Sequence, residues 1–74
     1  MGTAEPMSNL VRQTRRMQDL TQAELAKAAN VSRQTIVSIE GGDYAPSVYL
    51  ALRLAEVLET TVEALFDPAL EKQS

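Results

Sequence analysis

The sequence predicts an all-α fold, a compact domain of five helices. Apolar residues recur at the three- and four-residue spacing of a helix in five successive segments, and no segment shows the two-residue alternation of a strand. A serine or threonine precedes each segment, where a helix N-cap is expected. The 74 residues have room for one such domain.

The chain is expected to divide into three parts. Residues 1–7 contain a Gly and a Pro, lack periodicity and are expected to form a flexible leader. Residues 8–67 carry all five helices. Residues 68–74 follow the last helix and are expected to form a C-terminal tail.

Helix one is expected to begin after Ser8, its N-cap, and to end near Gln18. Helix two begins at a capping box in which Thr21 and Glu24 each satisfy a free backbone amide. It stops at Asn30, because Asn tolerates the left-handed conformation at a helix end. The predicted inward face of helix one comprises Leu10, Val11, Thr14 and Met17.

Helices three, four and five have equally clear signals. Ser32 caps helix three, which runs to about Glu40 and is ended by two glycines. Ser47 caps helix four, and Thr61 begins a short fifth helix that Asp67 and Pro68 end. The predicted inward stripe of helix four comprises Val48, Leu50, Ala51, Leu54, Ala55 and Leu58.

Helices two and three are joined by a very short turn, an arrangement that can present one helix to the DNA major groove. Such a pair needs a small residue where the helices cross, and Ala26 stands there. It also needs a residue that accepts positive φ in the turn, which is Asn30. Ile36 and Ile39 lie one turn apart on helix three, and they are expected to pack against Leu25 and helix one.

The motifs occur in an order that is typical of a known family. They read T-Q-A-E-L-A, then V-S-R-Q-T-I, then I-E-G-G-x-Y-x-P-S, with L-F closing the last helix. In these motifs the chain resembles the lambda-repressor-like, Cro/C1-type (XRE family) helix-turn-helix regulators, in particular their small stand-alone bacterial members. The resemblance covers nearly all of residues 8–66.

The resemblance implies a double-stranded DNA-binding protein and roles for several polar residues of the helix pair. It implies that Arg33, Gln34 and Ser38 face base edges, and that Gln22 and Thr35 lie near phosphates. Ser32 joins this phosphate set, although its main expected role is as an N-cap. The family's matching positions also imply an ion pair between two further residues, Arg15 and Glu40.

The chemistry of helix three agrees with this reading. Arg suits guanine O6 and N7, and Gln suits adenine N6 and N7, in bidentate geometry. A basic residue is disfavoured at the positive end of a helix dipole, so Arg33 at the start of helix three suggests an external anion. Four positions depart from the family pattern, and one of them is Gly41, which stands with Asp43 where relatives often carry Asn or Lys. Asn30 and Glu59 replace glycines that usually end a helix, and Asp43 replaces a residue that helps to bind the DNA backbone.

The formal net charge of −3 conceals an uneven distribution. Residues 8–38 carry five basic and two acidic side chains, a local charge of +3, whereas residues 39–74 carry two basic and seven acidic ones, a local charge of −5. A polyanion could therefore bind to residues 8–38, while residues 39–74 face away from it. Solvated helix faces of random sign are the alternative explanation of the charge pattern alone.

The composition also excludes several classes of function. The sequence contains no Cys and no His, which excludes a zinc site, a disulfide framework and Ser-His catalysis. No Asp-rich loop, apolar membrane span or signal-like segment is present. We therefore expect a cytoplasmic non-enzyme with no cofactor, no metal and no evident small-molecule ligand.

The outer face of helix four suggests self-association. Four apolar residues, two on helix four and two further along the chain, lie outside the inward stripe of helix four. They are expected to form a homodimer interface. The expected function is a sequence-specific transcriptional regulator, a repressor that binds an inverted-repeat operator as a dimer. The alternative is a protein-interaction module, antitoxin- or coactivator-like, that keeps the fold without reading DNA. The expected interface residues are Tyr49, Leu52, Phe66 and Leu70.

Overall fold

The computed structural model describes residues 9–66, and within this range it contains five α-helices and no strand. This confirms the predicted all-α class and the number of helices. None of the helices in this range is both long and apolar enough to cross a membrane. The helices are α1 (Val11–Met17), α2 (Gln22–Ala28), α3 (Arg33–Glu40), α4 (Val48–Val57) and α5 (Val62–Phe66).

Side-chain caps fix the starts of four helices. At each, a hydroxyl oxygen accepts a hydrogen bond from the backbone amide three residues later, which satisfies a donor that the helix leaves free. The capping box of Thr21 and Glu24 is complete, as expected. The prediction that helix one begins directly after Ser8 was wrong, because α1 begins at Val11 and Leu10 occupies its N-cap position, where it makes no side-chain cap hydrogen bond. Ser8 itself lies outside the described residues. Asn9 performs a similar task for α1, where its Oδ1 accepts from the Val11 amide at 3.0 Å. The four hydroxyl caps belong to Thr21, Ser32, Ser47 and Thr61.

One turn geometry ends four of the helices. The residue two positions past each helix is left-handed, and two backbone amides reach back to the last turn of carbonyl groups, as in a Schellman motif. At the end of α2, for example, the Val31 amide donates to the Ala26 carbonyl at 2.9 Å. Positive φ at Asn30 confirms the expectation for the helix-turn-helix turn. The four left-handed residues are Asp19 (φ 60), Asn30 (φ 60), Gly42 (φ 82) and Glu59 (φ 59).

The same four-residue connection therefore joins α1 to α2, α2 to α3 and α4 to α5. In each, a left-handed residue stands second and a hydroxyl N-cap stands fourth. The connection from α3 to α4 is longer, at residues 41–47. The longer loop therefore follows α3.

A single aliphatic core joins all five helices. The α2 and α3 members predicted from the helix-turn-helix pattern are buried, with Leu25, Ile36 and Ile39 at 0% exposure and Ala26 at 3%. Burial of this apolar surface fixes one face of α3 against the domain, so its opposite face is available to a ligand. The remaining core residues are Val11, Ala29, Leu54, Ala55, Leu58 and Leu65.

Two predicted inward residues are instead exposed. Met17 is 75% exposed, because the inward positions of α1 are taken by Val11 and Arg15, one turn apart, and Arg15 turns inward to meet Glu40. Val48 is 76% exposed, because the first turn of α4 extends beyond the core that its later residues cover. The inward prediction was wrong for both residues.

Candidate nucleic-acid interface

The first turn of α3 presents a row of polar side chains. Ser32, Arg33 and Gln34 are exposed, whereas Thr35 and Ser38 are partly buried. The Ser32 hydroxyl accepts from the Thr35 amide at 3.1 Å and also shares a hydrogen bond with the Thr35 hydroxyl at 2.9 Å. The two hydroxyls are therefore engaged with each other at the helix start, which leaves Arg33 and Gln34 as the side chains most open to a ligand.

A shallow basic surface adjoins this helix end, between α1 and the starts of α2 and α3. We call it the basic groove. Four of its seven lining residues are arginines, so their combined field favours a polyanion. The sequence interpretation left Arg12 undecided and favoured a solvated charge at Arg16, with phosphate contact as the lesser alternative. Their spacing of four residues on α1 is the signal that could have placed them on one face. The groove is lined by Arg12, Arg15, Arg16, Thr21, Gln22, Ala23 and Arg33.

Beneath the groove, Arg15 and Glu40 form a buried ion pair. Arg15 Nε lies 2.6 Å from Glu40 Oε2, and Arg15 Nη2 donates to Glu40 Oε1 at 3.3 Å. The Glu40 side chain is 0% exposed and that of Arg15 is 9% exposed. Arg15 also donates to the Leu20 carbonyl at 2.8 Å. The pair thus ties α1 to the end of α3 and to the turn before α2.

Two further donors reach the same carboxylate. The exposed Arg12 approaches Glu40 Oε1 at 3.4 Å, and Gln22 Nε2 donates to this oxygen at 3.1 Å. Burial alone raises the pKa of the Glu40 carboxyl. Hydrogen bonds from Arg15 and Gln22, together with the charge of Arg15, outweigh burial and hold that pKa below its usual value. Glu40 is therefore an ionised buried carboxylate at neutral pH.

The amide of Gln22 links this carboxylate to the recognition helix. While its Nε2 donates to Glu40, its Oε1 accepts from Arg33 Nη2 at 3.0 Å. Arg33 is exposed, yet its guanidinium is tied to the start of α2. The sequence interpretation did not foresee this link, because residues 22 and 33 belong to different helices and no spacing rule joins them.

On its other side, α3 borders a second shallow depression. Two of its lining residues come from the loop after α3, and one of them, Asp43, brings a carboxylate to the surface that Gln34 and Ser38 share. A carboxylate repels phosphate, so we expect Asp43 to weaken phosphate binding at this surface. The depression is lined by Ser32, Gln34, Thr35, Ser38, Asp43 and Tyr44.

An apolar groove lies between α4, α5 and the loop before α4. It brings Leu52, which is 54% exposed, into one surface with Phe66. Tyr49 is 84% exposed on the same helix but is not among the residues that line the groove. Leu70 lies outside the described residues. The apolar groove is lined by Ala45, Pro46, Val48, Ala51, Leu52, Val62 and Phe66.

Comparison with known proteins agrees with this geometry. The helix-turn-helix family model matches residues 11–65. An uncharacterized HTH-type transcriptional regulator of Methanocaldococcus jannaschii is 43% identical over 60 residues, which span 81% of this chain and 91% of that protein.

Two solved structures share the fold. The restriction-modification controller protein C.AhdI from Aeromonas hydrophila superposes with a TM-score of 0.69 at 26% identity, over 73% of this chain and 82% of that chain. An HTH_3 family transcriptional regulator from Vibrio cholerae gives a TM-score of 0.68 at 27% identity, over 81% of this chain and 35% of that chain.

The family match covers the whole helix pair and the core that supports it, and the described fold is the one that the motifs predicted. The chain belongs to the Cro/C1-type helix-turn-helix family, and it is a transcriptional regulator with a helix-turn-helix DNA-binding domain.

Proposed function

We propose that the protein binds a specific sequence of double-stranded DNA as a homodimer and represses transcription by occluding an inverted-repeat operator. The observation that carries this proposal is the first turn of α3, where Arg33 and Gln34 are exposed directly beside the basic groove. The opposite face of α3 is locked into the core through Ile36 and Ile39. A rigid helix with polar residues at its outer end fits the major groove.

The residue types assign parts of the contact. In this proposal Arg33 binds a guanine and Gln34 an adenine through bidentate hydrogen bonds, and Ser38 reaches the base edges one turn further along α3. Gln22, Thr35 and Ser32 lie near phosphates, where they set the register of the helix without reading sequence. The arginines of the basic groove add a field that attracts the DNA backbone.

Three considerations support a homodimer. One recognition helix reads only a few base pairs. A small domain gains stability by burying further apolar area, and the apolar groove and Tyr49 offer such an area. The acidic second part of the chain is also best placed away from DNA. Two-fold pairing through α4, α5 and Leu70 would place the two α3 helices about 34 Å apart, with half-site centres about 10 base pairs apart.

Occupation of the DNA is enough for repression. A bound dimer excludes other proteins from the base pairs that it covers, so this role requires neither a catalytic step nor a cofactor. The proposal places the protein in the cytoplasm together with its DNA.

Selection of bound duplexes from a random pool, followed by titration of the selected duplex at rising salt, tests this function. We expect the selected sequence to be an inverted repeat. The logarithm of the binding constant should fall linearly with the logarithm of the salt concentration, with a slope of about −0.9 for each phosphate contacted. The net charge of −3 and the apolar groove favour the alternative, a protein-interaction module. No selected sequence and no salt-dependent duplex binding would favour that alternative and contradict the proposal.

A further inference from the structure

Each end of α3 carries a charged side chain that the helix dipole does not favour. Arg33 stands at the start, where the dipole is positive, and Asp43 lies just beyond the other end, where it is negative. Asp43 Oδ2 lies 3.5 Å from the position that a Cβ on Gly41, the C-cap of α3, would occupy. Since neither charge is stabilised by its own helix, the pattern points to a ligand that offers both acceptors and donors along α3.

The backbone holds Asp43 against the last turn of α3. Gly42 has a left-handed φ of 82°, which turns the chain back toward the helix. The Asp43 amide then donates to the Ser38 carbonyl at 2.9 Å, and the Gly42 amide donates to the Ile39 carbonyl at 3.0 Å. These two hydrogen bonds fix the position of Asp43 relative to α3, so its side chain approaches a ligand together with that helix.

The Asp43 carboxylate is exposed, and within residues 9–66 it has neither a hydrogen bond nor an ion pair. It lines the same depression as Gln34 and Ser38, the two side chains that the proposed function directs to base edges. The arginines of the basic groove lie on the other side of α3. The carboxylate is therefore left for a donor on the ligand.

A carboxylate can only accept hydrogen bonds, which limits what it can meet on DNA. Phosphates repel it and offer no donor. The donors of the major groove are the exocyclic amino groups of cytosine and adenine. Beside the adenine amino group lies the acceptor N7, which repels a carboxylate, so N4 of cytosine is the group that fits.

We propose that Asp43 is a specificity-determining residue that accepts a hydrogen bond from N4 of one cytosine in each half-site. The proposal rests on the proposed function, in which α3 lies in the major groove. At guanine or thymine the carboxylate meets acceptors and is repelled. The same charge that lowers affinity for DNA in general therefore increases discrimination between sequences.

A carboxylate that only repels the DNA backbone makes a different prediction. Repulsion between Asp43 and phosphates does not depend on the base sequence, so its loss tightens binding to every duplex by the same factor. Loss of a base contact weakens binding to the operator and does not weaken binding to random duplex. The two explanations therefore differ in the sign of the effect at the operator.

Asp43→Ala in the full chain separates these cases. Parent and variant are titrated against the selected operator and against random duplex, and the variant is put through its own selection from the random pool. We expect Asp43→Ala to bind the operator about 3-fold to 10-fold more weakly, and to lose a preference for cytosine at one position in each half-site. Its affinity for random duplex should equal or exceed that of the parent. Tighter binding to both duplexes, or an unchanged preference for cytosine, would overturn the proposal.

The matched control is Asp19→Asn. Asp19 is an exposed acid in the turn after α1, it lines neither depression beside α3, and Asn tolerates its left-handed φ of 60°. This variant loses the same charge as Asp43→Ala, and it should keep the base preference of the parent at every position.

Asp43→Asn tests for a change of the preferred base. An Asn side chain suits N6 and N7 of adenine, so selection with this variant should replace the cytosine by adenine at the same position. Retention of cytosine by both Asp43 variants would show that Asp43 does not read this base pair.

Both Asp43 variants should unfold close to the parent midpoint, because the side chain is exposed, and circular dichroism melts check this. Failure of the proposed function would be recognised separately, because the parent protein would then select no operator at all.

Discussion

The basic groove and the apolar groove lie on the same small domain but differ in how their side chains are partnered. In the basic groove, Arg15, Gln22 and Arg33 already hold hydrogen bonds, and among residues 9–66 no buried side-chain nitrogen or oxygen lacks a partner. On the apolar side, Val48 and Leu52 remain largely exposed. The basic groove is therefore organised before a ligand arrives, whereas the apolar groove still has apolar area to bury.

The largest expected effect concerns the ion pair beneath the basic groove. Arg15→Ala or Glu40→Ala should each lower the free energy of unfolding by about 3 to 5 kcal/mol, because each leaves a buried charge without its main partner. Arg12→Ala is the matched control. Its side chain is 53% exposed, so its loss should cost under about 1 kcal/mol. Denaturant unfolding measures all three, and unchanged midpoints for Arg15→Ala and Glu40→Ala would refute the buried pair.

The apolar groove gives the next largest effect. Leu52→Glu should raise the dimer dissociation constant about 100-fold, because a charge would be buried at the expected interface. Glu56→Gln is the control, because it changes an exposed charge on α4 outside the groove. Light scattering at micromolar concentration gives the mass of each protein. A parent protein that is monomeric both free and on DNA would refute the dimer.

Lowering the pH should weaken the ion pair beneath the basic groove, and it should leave the apolar groove unchanged. The pKa of Glu40 is lower in the folded protein than its ordinary value of 4.5, so the unfolded chain takes up the proton first as the pH falls. The stability that Glu40 contributes should be intact at neutral pH, and it should be lost progressively below about pH 4.5. Urea unfolding of the parent and of Glu40→Gln between neutral pH and about pH 3 measures this. Identical pH profiles would contradict the assignment to Glu40.

The smallest effect is expected at two turns that have the same backbone geometry, the turn after α2 and the turn after α4. Asn30 and Glu59 have nearly the same φ, but Glu, unlike Asn, has no short side chain that favours this conformation. Glu59→Gly should therefore stabilise the fold by about 1 kcal/mol, and Asn30→Gly by under about 0.5 kcal/mol. Thermal melts measure both changes. A larger gain at Asn30 than at Glu59 would contradict this account of the turns.

Much of the fold could be predicted from local chemistry. The caps at Thr21, Ser32, Ser47 and Thr61, and the left-handed Asn30, each depend on residues within one turn of the chain, so the sequence displays them directly. Exposure was harder to predict. The spacing placed Met17 and Val48 inward, but how far the core extends along a helix depends on what the other helices cover.

The site was predicted less completely than the fold. Exposure of Arg33 and Gln34 follows from their place at the start of α3. The link from Arg33 to Gln22 joins two helices through an amide, and only the crossing of those helices brings the two side chains together. Likewise, the Asn9 amide donates to the Ile39 carbonyl at 2.8 Å, across 30 residues, and no local pattern indicates such a contact.

The most direct test of the central claim, that the outer end of α3 reads DNA, is the affinity of Arg33→Ala for the selected operator. We predict a loss of about 1 to 3 kcal/mol in binding, with preference relaxed at one base pair in each half-site and a smaller loss on random duplex. The unfolding midpoint should stay close to that of the parent, because Arg33 is exposed. If Arg33→Ala binds the operator as tightly as the parent, with the same base preference, α3 does not read DNA as proposed.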